Sequence, residues 1–246
     1  MPAIMRSVTL FEDDALFILH KPANAHSVAH SEGEGEPSVA ADLLAASPQL
    51  REVADRPGDA GLVNRLDFGT SGILIGAKSR AVWEALRSDI QSGEIKKRYL
   101  AVLEGIAPLS RTIENFIGSP YRRAQKVRVY DDLPRDGRAL PAISIFRLRE
   151  PHAAQNISLV EVEAPTARRH QIRVHARSIG HPLVGDTLYG ATRSLGDIFT
   201  EQANGFCLHA YSVELTHPLH RRTLSIVDPA PEYLSAVFSE KALRVG

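Results

Sequence analysis

The sequence predicts an α+β fold: a long, mixed but mostly antiparallel β-sheet with flanking helices and loops around a central cleft. Three observations carry that prediction. Short apolar or alternating runs recur through the middle of the chain, which is the spacing of strands. Two longer stretches, 79–93 and 168–180, show helical spacing between start and stop signals. No internal repeat, low-complexity tract or Pro/Gly-rich linker divides the chain, so residues 1–246 are expected to form a single domain.

Residues 16–19, Leu-Phe-Ile-Leu, are a compact apolar run closed by Lys21-Pro22, which suits a strand better than a helix. Residues 31–37 are acidic and contain glycine, hence a loop, and Ser38 is placed to cap a helix through Leu44 before another loop at 47–61. Residues 62–63 and 72–77 read as two strands joined by the turn 64–71, which puts Asp67 on a loop between strands. Ser79 is a candidate N-cap for a helix with Val82, Leu86 and Ile90 at four-residue spacing, ended by Gly93. Strands are expected at 99–103 and at 126–130, where polar and apolar residues alternate and one side displays cations. Two more follow at 142–148 and 157–162, with Pro151 and Asn156 marking their connection. The stretch 168–179 predicts a helix stopped by Gly180 and Pro182, with Arg169, Arg173 and Arg177 on one stripe and Ile172, Ala176 and Ile179 on the opposing one.

With 246 residues, 43% hydrophobic and 24% charged, the chain can bury one large core or two modest ones. No window approaches the ~18 uninterrupted apolar residues of a bilayer-spanning helix. The start of the chain lacks a basic segment followed by an apolar one, so a cytoplasmic protein without membrane contact is expected. The single cysteine, Cys207, forms no internal disulfide and anchors no Cys-rich zinc site, and it reads as a buried thiol. Lysine plus arginine equals aspartate plus glutamate, 29 against 29, which argues mildly against a polyanionic partner. The cations are nevertheless clustered at 96–98, 122–128, 168–177 and 220–222, while acids gather at 12–14 and 32–36. A neutral total therefore leaves room for a basic face.

Asp67 sits beside Gly69, Thr70, Ser71 and Gly72, whose backbone and hydroxyl donors are able to orient its carboxylate as a nucleophile. Taken alone, that local pattern favours an aspartate that organises a turn. Arg173 offers a guanidinium that stays charged when dehydrated and forms a planar fork with a carboxylate. Tyr99, after three cations, offers an aromatic face and a hydroxyl, although a strand tyrosine is more often core.

The segments in order are far more informative than any one residue. Asn-Arg-Leu-Asp-Phe-Gly-Thr-Ser-Gly at 64–72, Lys-Arg-Tyr-Leu-Ala at 97–101, Arg-Arg-His-Gln-Ile-Arg-Val-His at 168–175, Gly-His-Pro-Leu-Val-Gly-Asp-Thr-Leu-Tyr-Gly at 180–190 and Leu-His-Ala at 208–210 form one series. That series resembles the RluA family of pseudouridine synthases over residues 8–229. The resemblance implies a pseudouridine synthase-like domain and a cofactor-free isomerisation of uridine in structured ribosomal or transfer RNA. It implies Asp67 as the catalytic aspartate, Tyr99 as the tyrosine that stacks on the target base and moves a proton, and Arg173 as the aspartate's partner. Arg65 matches the arginine that fills the space of the flipped nucleotide, and Leu208 the apolar residue lining the pocket. Arg168 and His170, in the same block, are expected to contact substrate. At an effective dielectric near 20, opposite charges about 4 Å apart attract by about 4 kcal/mol, enough to keep a half-buried Asp67 ionised beside Arg173.

This sequence departs from the family at two positions, with Asn64 where most members carry histidine and Ala167 where glycine is usual. Because the resemblance begins almost at the first residue, no N-terminal RNA-binding module of the S4 kind is expected, and substrate choice then lies within this domain. His170, His175 and His181 are spaced five and six apart without an interleaved acidic ligand, so neither a metal site nor a metal-dependent hydrolase is expected. A glycosidase wants a pair of positioned carboxylates where the motifs offer one, and Asp186 reads as structural. The rival from another class is a catalytically idle RNA-binding or RNA-folding protein on the same scaffold. A monomer is expected.

Overall fold

The computed structural model describes residues 7–29, 37–135, 137–199 and 205–244; residues 31–36 of the expected acidic loop lie outside them. Among the described residues, ten strands and four α-helices follow in order. The first half holds β1 (Val8–Glu12), β2 (Leu16–Lys21), α1 (Val39–Ala46), β3 (Ser71–Ala77), α2 (Arg80–Ser92), β4 (Lys96–Glu104) and β5 (Ser110–Gly118). Then come β6 (Arg128–Tyr130), β7 (Ala139–His152), β8 (Ile157–Glu163), α3 (Gln171–Ser178), β9 (Leu208–Thr216), β10 (Thr223–Val227) and α4 (Glu240–Leu243). The chain divides into two compact units: Met1–Ile95 with Ser212–Asp228, and Lys96–Tyr211 with Pro229–Gly246.

In the first unit β2 pairs antiparallel with β1 and β3, and β10 pairs antiparallel with Ser212 to Thr216 of β9. β2 and β3 are apolar and buried almost throughout, as central strands packed on both faces are. Phe17 lies opposite Gly76, and a Cβ at 76 would fall 2.0 Å from the Phe17 ring, so only glycine fits there. Ser38 and Ser79 cap α1 and α2 by accepting from Ala41 N and Val82 N, each cap worth about 1 kcal/mol. Val82, Leu86 and Ile90 are buried as their spacing predicts, and Gly93, at φ 81°, closes α2. Two His–Asp contacts tie this unit together: His217 Nε2, just after β9, lies 2.9 Å from Asp13, just after β1, and His20 Nδ1 on β2 lies 2.6 Å from Asp228, just after β10.

In the second unit β4, β8, β7, β5 and β6 pair antiparallel in that order. One apolar cluster joins Leu103 and Val162 to Ile172 and Ala176 of α3 and to Leu208. Another encloses Cys207 with Leu159, Tyr211 and Phe238. Cys207 is buried, as the lone-cysteine reading expected, and burial raises its thiol to about 11, which keeps it protonated.

Several local expectations are corrected. Leu62 makes an isolated bridge to Gly76 rather than a strand with Val63, and the strand expected at 126–130 is confined to Arg128–Tyr130. α3 begins at Gln171 instead of 168, because His170 adopts φ 53°, a left-handed conformation that cannot continue into a helix. The expected arginine stripe breaks with it: Arg169 and Arg177 are exposed whereas Arg173 is buried. β1, β5, β9 and β10 are strands outside those expected from the sequence, and each pairs antiparallel with a neighbouring strand.

Candidate active site

The Asp67 loop is held from both ends. Ahead of it, Val63 N donates to Ile75 O at 2.9 Å, and the Asn64 side chain continues that ladder in place of backbone. Its Oδ1 accepts from Ile75 N at 2.8 Å, and its Nδ2 donates to Ile73 O at 3.3 Å. Leu66 N then donates to Ser27 Oγ at 3.0 Å, and the loop closes where Thr70 N donates to Asp67 O at 3.0 Å. Asp67 is half-buried and Arg65 exposed, on the same segment. Asn64, noted in the sequence only as a departure from the family, is thus a clamp that ties the loop to β3.

Beneath the loop lies Lys21, fully buried, whose Nζ donates to Pro22 O at 2.9 Å, Ala25 O at 2.8 Å and Phe68 O at 3.3 Å. Burial lowers the Lys21 ammonium to about 7, a drop that the negative charge of Asp67 opposes. The sequence presented Lys21 only as the end of a strand. The local signal that could have found it is a lysine closing an apolar strand, since a buried ammonium requires several acceptors.

Five of the other expected site residues belong to the second unit. Tyr99 is half-buried on β4, opposite Val162 of β8, and packs on the cluster that contains Leu208. Leu208 is 5% exposed at the start of β9. Arg168 is half-buried, with Nε donating to Pro141 O at 2.9 Å, and burial lowers its pKa. Nearby, Lys97 is lowered to about 8, by burial first and then by the charge of Arg168.

Arg173 is buried and makes a two-pronged pair with Asp186, Nε to Oδ2 at 2.7 Å and Nη2 to Oδ1 at 2.9 Å. Its guanidinium carbon lies 4.2 Å from the ring centre of Phe206 and 5.1 Å from that of Tyr189. The Tyr189 hydroxyl accepts from Val127 N at 3.0 Å and lies 2.9 Å from His170 Nδ1. The second unit thus brings Arg173 and His170 together around Tyr189, a residue of the 180–190 motif block for which no role of its own was expected. Asp186 is structural, as expected, and it is also the carboxylate that fixes the orientation of Arg173. Ala167, the second departure, is not at positive φ and needs no glycine.

Chemically, the first unit offers the Asp67 carboxylate on a tethered loop whose charge is felt by a buried ammonium, and the second an oriented, desolvated guanidinium among aromatic rings. A family described as RNA pseudouridylate synthase matches residues 15–178. The chain is 33% identical to ribosomal large subunit pseudouridine synthase D of Neisseria meningitidis serogroup A, over 100% of this chain and 64% of that protein. It is 33% identical to the uncharacterized RNA pseudouridine synthase YhcT of Bacillus subtilis, over 90% of this chain and 68% of the relative. The chain therefore spans a little under two thirds of the length of the Neisseria protein. The fold is similar to that of human RNA Pseudouridylate Synthase Domain Containing 1, with TM-score 0.69, 23% identity, and coverage of 94% of this chain and 86% of the human one. Human RNA Pseudouridylate Synthase Domain Containing 4 gives TM-score 0.69 at 20% identity, over 97% of this chain and 94% of its own. On a family match running from β2 to the end of α3 and relatives one third identical along its length, this chain belongs to the RluA family of RNA pseudouridylate synthases.

Proposed function

We propose that this chain is an RNA pseudouridine synthase that isomerises specific uridines in ribosomal or transfer RNA, as a cytoplasmic monomer with a single catalytic domain. The observation that carries the reading is the loop that bears Asp67, tied to β3 through Asn64 and underlain by Lys21, within the segment that matches the family. The names of the relatives favour large-subunit ribosomal RNA as the substrate to test first.

The reaction balances without a redox partner: the N1–C1′ bond breaks, a C5–C1′ bond forms, C5 loses a proton and N1 gains one. Asp67 acts at the ribose as the nucleophile, Tyr99 stacks on the uracil and moves the proton, and Arg173 supplies the countercharge for Asp67. Arg65 fills the gap left by the extruded nucleotide, Leu208 lines the base pocket, and Arg168 and His170 hold the RNA. Extrusion costs roughly a few kcal/mol, offset by stacking and phosphate contacts.

The test is incubation of the protein with total RNA from a strain lacking it, followed by mapping of pseudouridine. Conversion by the native protein and none by Asp67→Asn is the expected result. Absence of conversion by the native protein, with retained binding, would replace this reading by that of an idle RNA-binding protein. Undiminished conversion by Asp67→Asn would remove Asp67 as the nucleophile.

A further inference from the structure

Between Asn115 and Tyr130 the chain carries four cations and no acidic residue. Four of these positions, Arg122, Arg123, Lys126 and Arg128, are exposed, and so is Tyr121, with 64% of its surface open. Exposure of this kind usually marks a mobile loop, yet this one is built. Ala124 and Val127 are buried, Ala124 N closes a turn on Tyr121 O, and Arg123 takes φ 67°, a conformation that a non-glycine residue holds only when its surroundings enforce it.

Two residues of the 168–190 block supply that enforcement. Arg169 donates Nη2 to Ala124 O at 2.7 Å and reaches Ser119 Oγ at 3.4 Å. The Tyr189 hydroxyl accepts from the buried Val127 amide at 3.0 Å. The same Tyr189 ring lies 5.1 Å from the Arg173 guanidinium carbon. One side chain therefore touches both the loop and the arginine expected to serve catalysis.

We propose that the 119–128 loop is a preformed platform for an unpaired stretch of RNA, stacking a base on Tyr121 and binding phosphates with its cations, and that Tyr189 is the positioning residue linking this platform to Arg173. The inference rests on the proposed activity for its substrate class. Its chemistry stands on the loop itself: an exposed aromatic face among cations, free of acids, suits an unstacked base with flanking phosphates. A rigid loop also binds without an ordering penalty, which explains why side chains from a distant block are spent on holding it.

The test uses the full chain and large-subunit ribosomal RNA transcribed in vitro. Neutralising Arg122, Arg123 and Lys126 to glutamine is expected to weaken binding and to reduce the salt slope, log Kd against log[salt], by about two to three. Tyr121→Ala is expected to weaken binding about tenfold. Tyr189→Phe keeps the ring beside Arg173 and loses the hydroxyl, so KM should rise about fivefold while kcat stays within twofold, whereas Tyr189→Leu should lower kcat as well. In a protein that carries His170→Ala together with the three neutralisations, Tyr189→Phe should have no further effect on Kd, because with the His170 contact already removed the hydroxyl acts only through the loop. Unchanged affinity and salt slope in the surface variants overturn the platform, whether or not the Tyr189 variants fold. Independent, multiplicative losses overturn the link through Tyr189. A native protein that converts no uridine while the binding results hold overturns the proposed activity and leaves the platform standing.

Discussion

Arg173 and Asp186 grip one another through two parallel hydrogen bonds, 2.7 and 2.9 Å long, in a buried setting thirteen residues apart along the chain. A buried ion pair contributes little net stability compared with an apolar pair, because both charges have been desolvated. What it fixes is geometry, since a guanidinium held on one edge by a carboxylate presents the rest of its fork in a defined direction.

Removing one partner from this pair leaves an unpaired buried charge. Asp186→Asn is therefore expected to lose about 3–5 kcal/mol in urea unfolding. Arg173→Lys is expected to lose activity even where it folds, because an ammonium cannot reproduce the planar fork. A native denaturation midpoint for Asp186→Asn would show that the pair is not coupled to the fold.

Asn64 replaces a stretch of backbone ladder with its side chain. Asn64→Ala leaves the Ile75 amide without its acceptor, which costs about 1–3 kcal/mol. Asn64→Asp keeps an acceptor for Ile75 N but no donor for Ile73 O, so its loss should be smaller at the same pH. Conversion rates should follow the same order, since the Asp67 loop begins at this clamp. Equal rates for all three proteins would separate the clamp from catalysis.

Lys21 makes a prediction of definite sign. Its folded value, about 7, lies below the ordinary 10.5, so between those values the unfolded chain binds more protons than the folded one. The penalty for burying the charged form is fully present below pH 7 and is relieved as pH rises towards 10.5. Native stability should therefore gain with pH relative to Lys21→Met over that window, by about 5 kcal/mol at most. Parallel stability curves for the two proteins would contradict it.

His175 acts on the acid side. It is fully buried, its Nε2 lies 3.0 Å from Asn115 Oδ1, and burial lowers it to about 4 from an ordinary 6.5. The neutral ring is the form that fits, so its contribution is complete above pH 6.5 and is lost as pH falls through 4. The loss is about 3 kcal/mol. His175→Gln should flatten the stability profile between pH 4 and 6.5, read as melting temperature against pH, and an unchanged acid limb would assign the slope elsewhere.

The sequence by itself determined the parts of this protein that depend on near neighbours. Ser79, the four-residue spacing of Val82, Leu86 and Ile90, and Gly93 specify α2 from cap to cap, because each signal acts within one or two turns. Likewise 16–19 was legible as a strand and Cys207 as a buried thiol, and the ordered motif blocks carried the family. Tertiary structure alone decided the rest. The helix at 168 starts three residues late because His170 is turned left-handed against Tyr189, nineteen positions away. Arg173 departs from Arg169 and Arg177 on its stripe because Asp186 meets it inside the protein. Lys21 becomes a buried cation because three carbonyls converge on it, one of them at Phe68 beside the nucleophile candidate. Periodicity reports which face of an element turns inward, whereas the partner found there depends on the path of the whole chain.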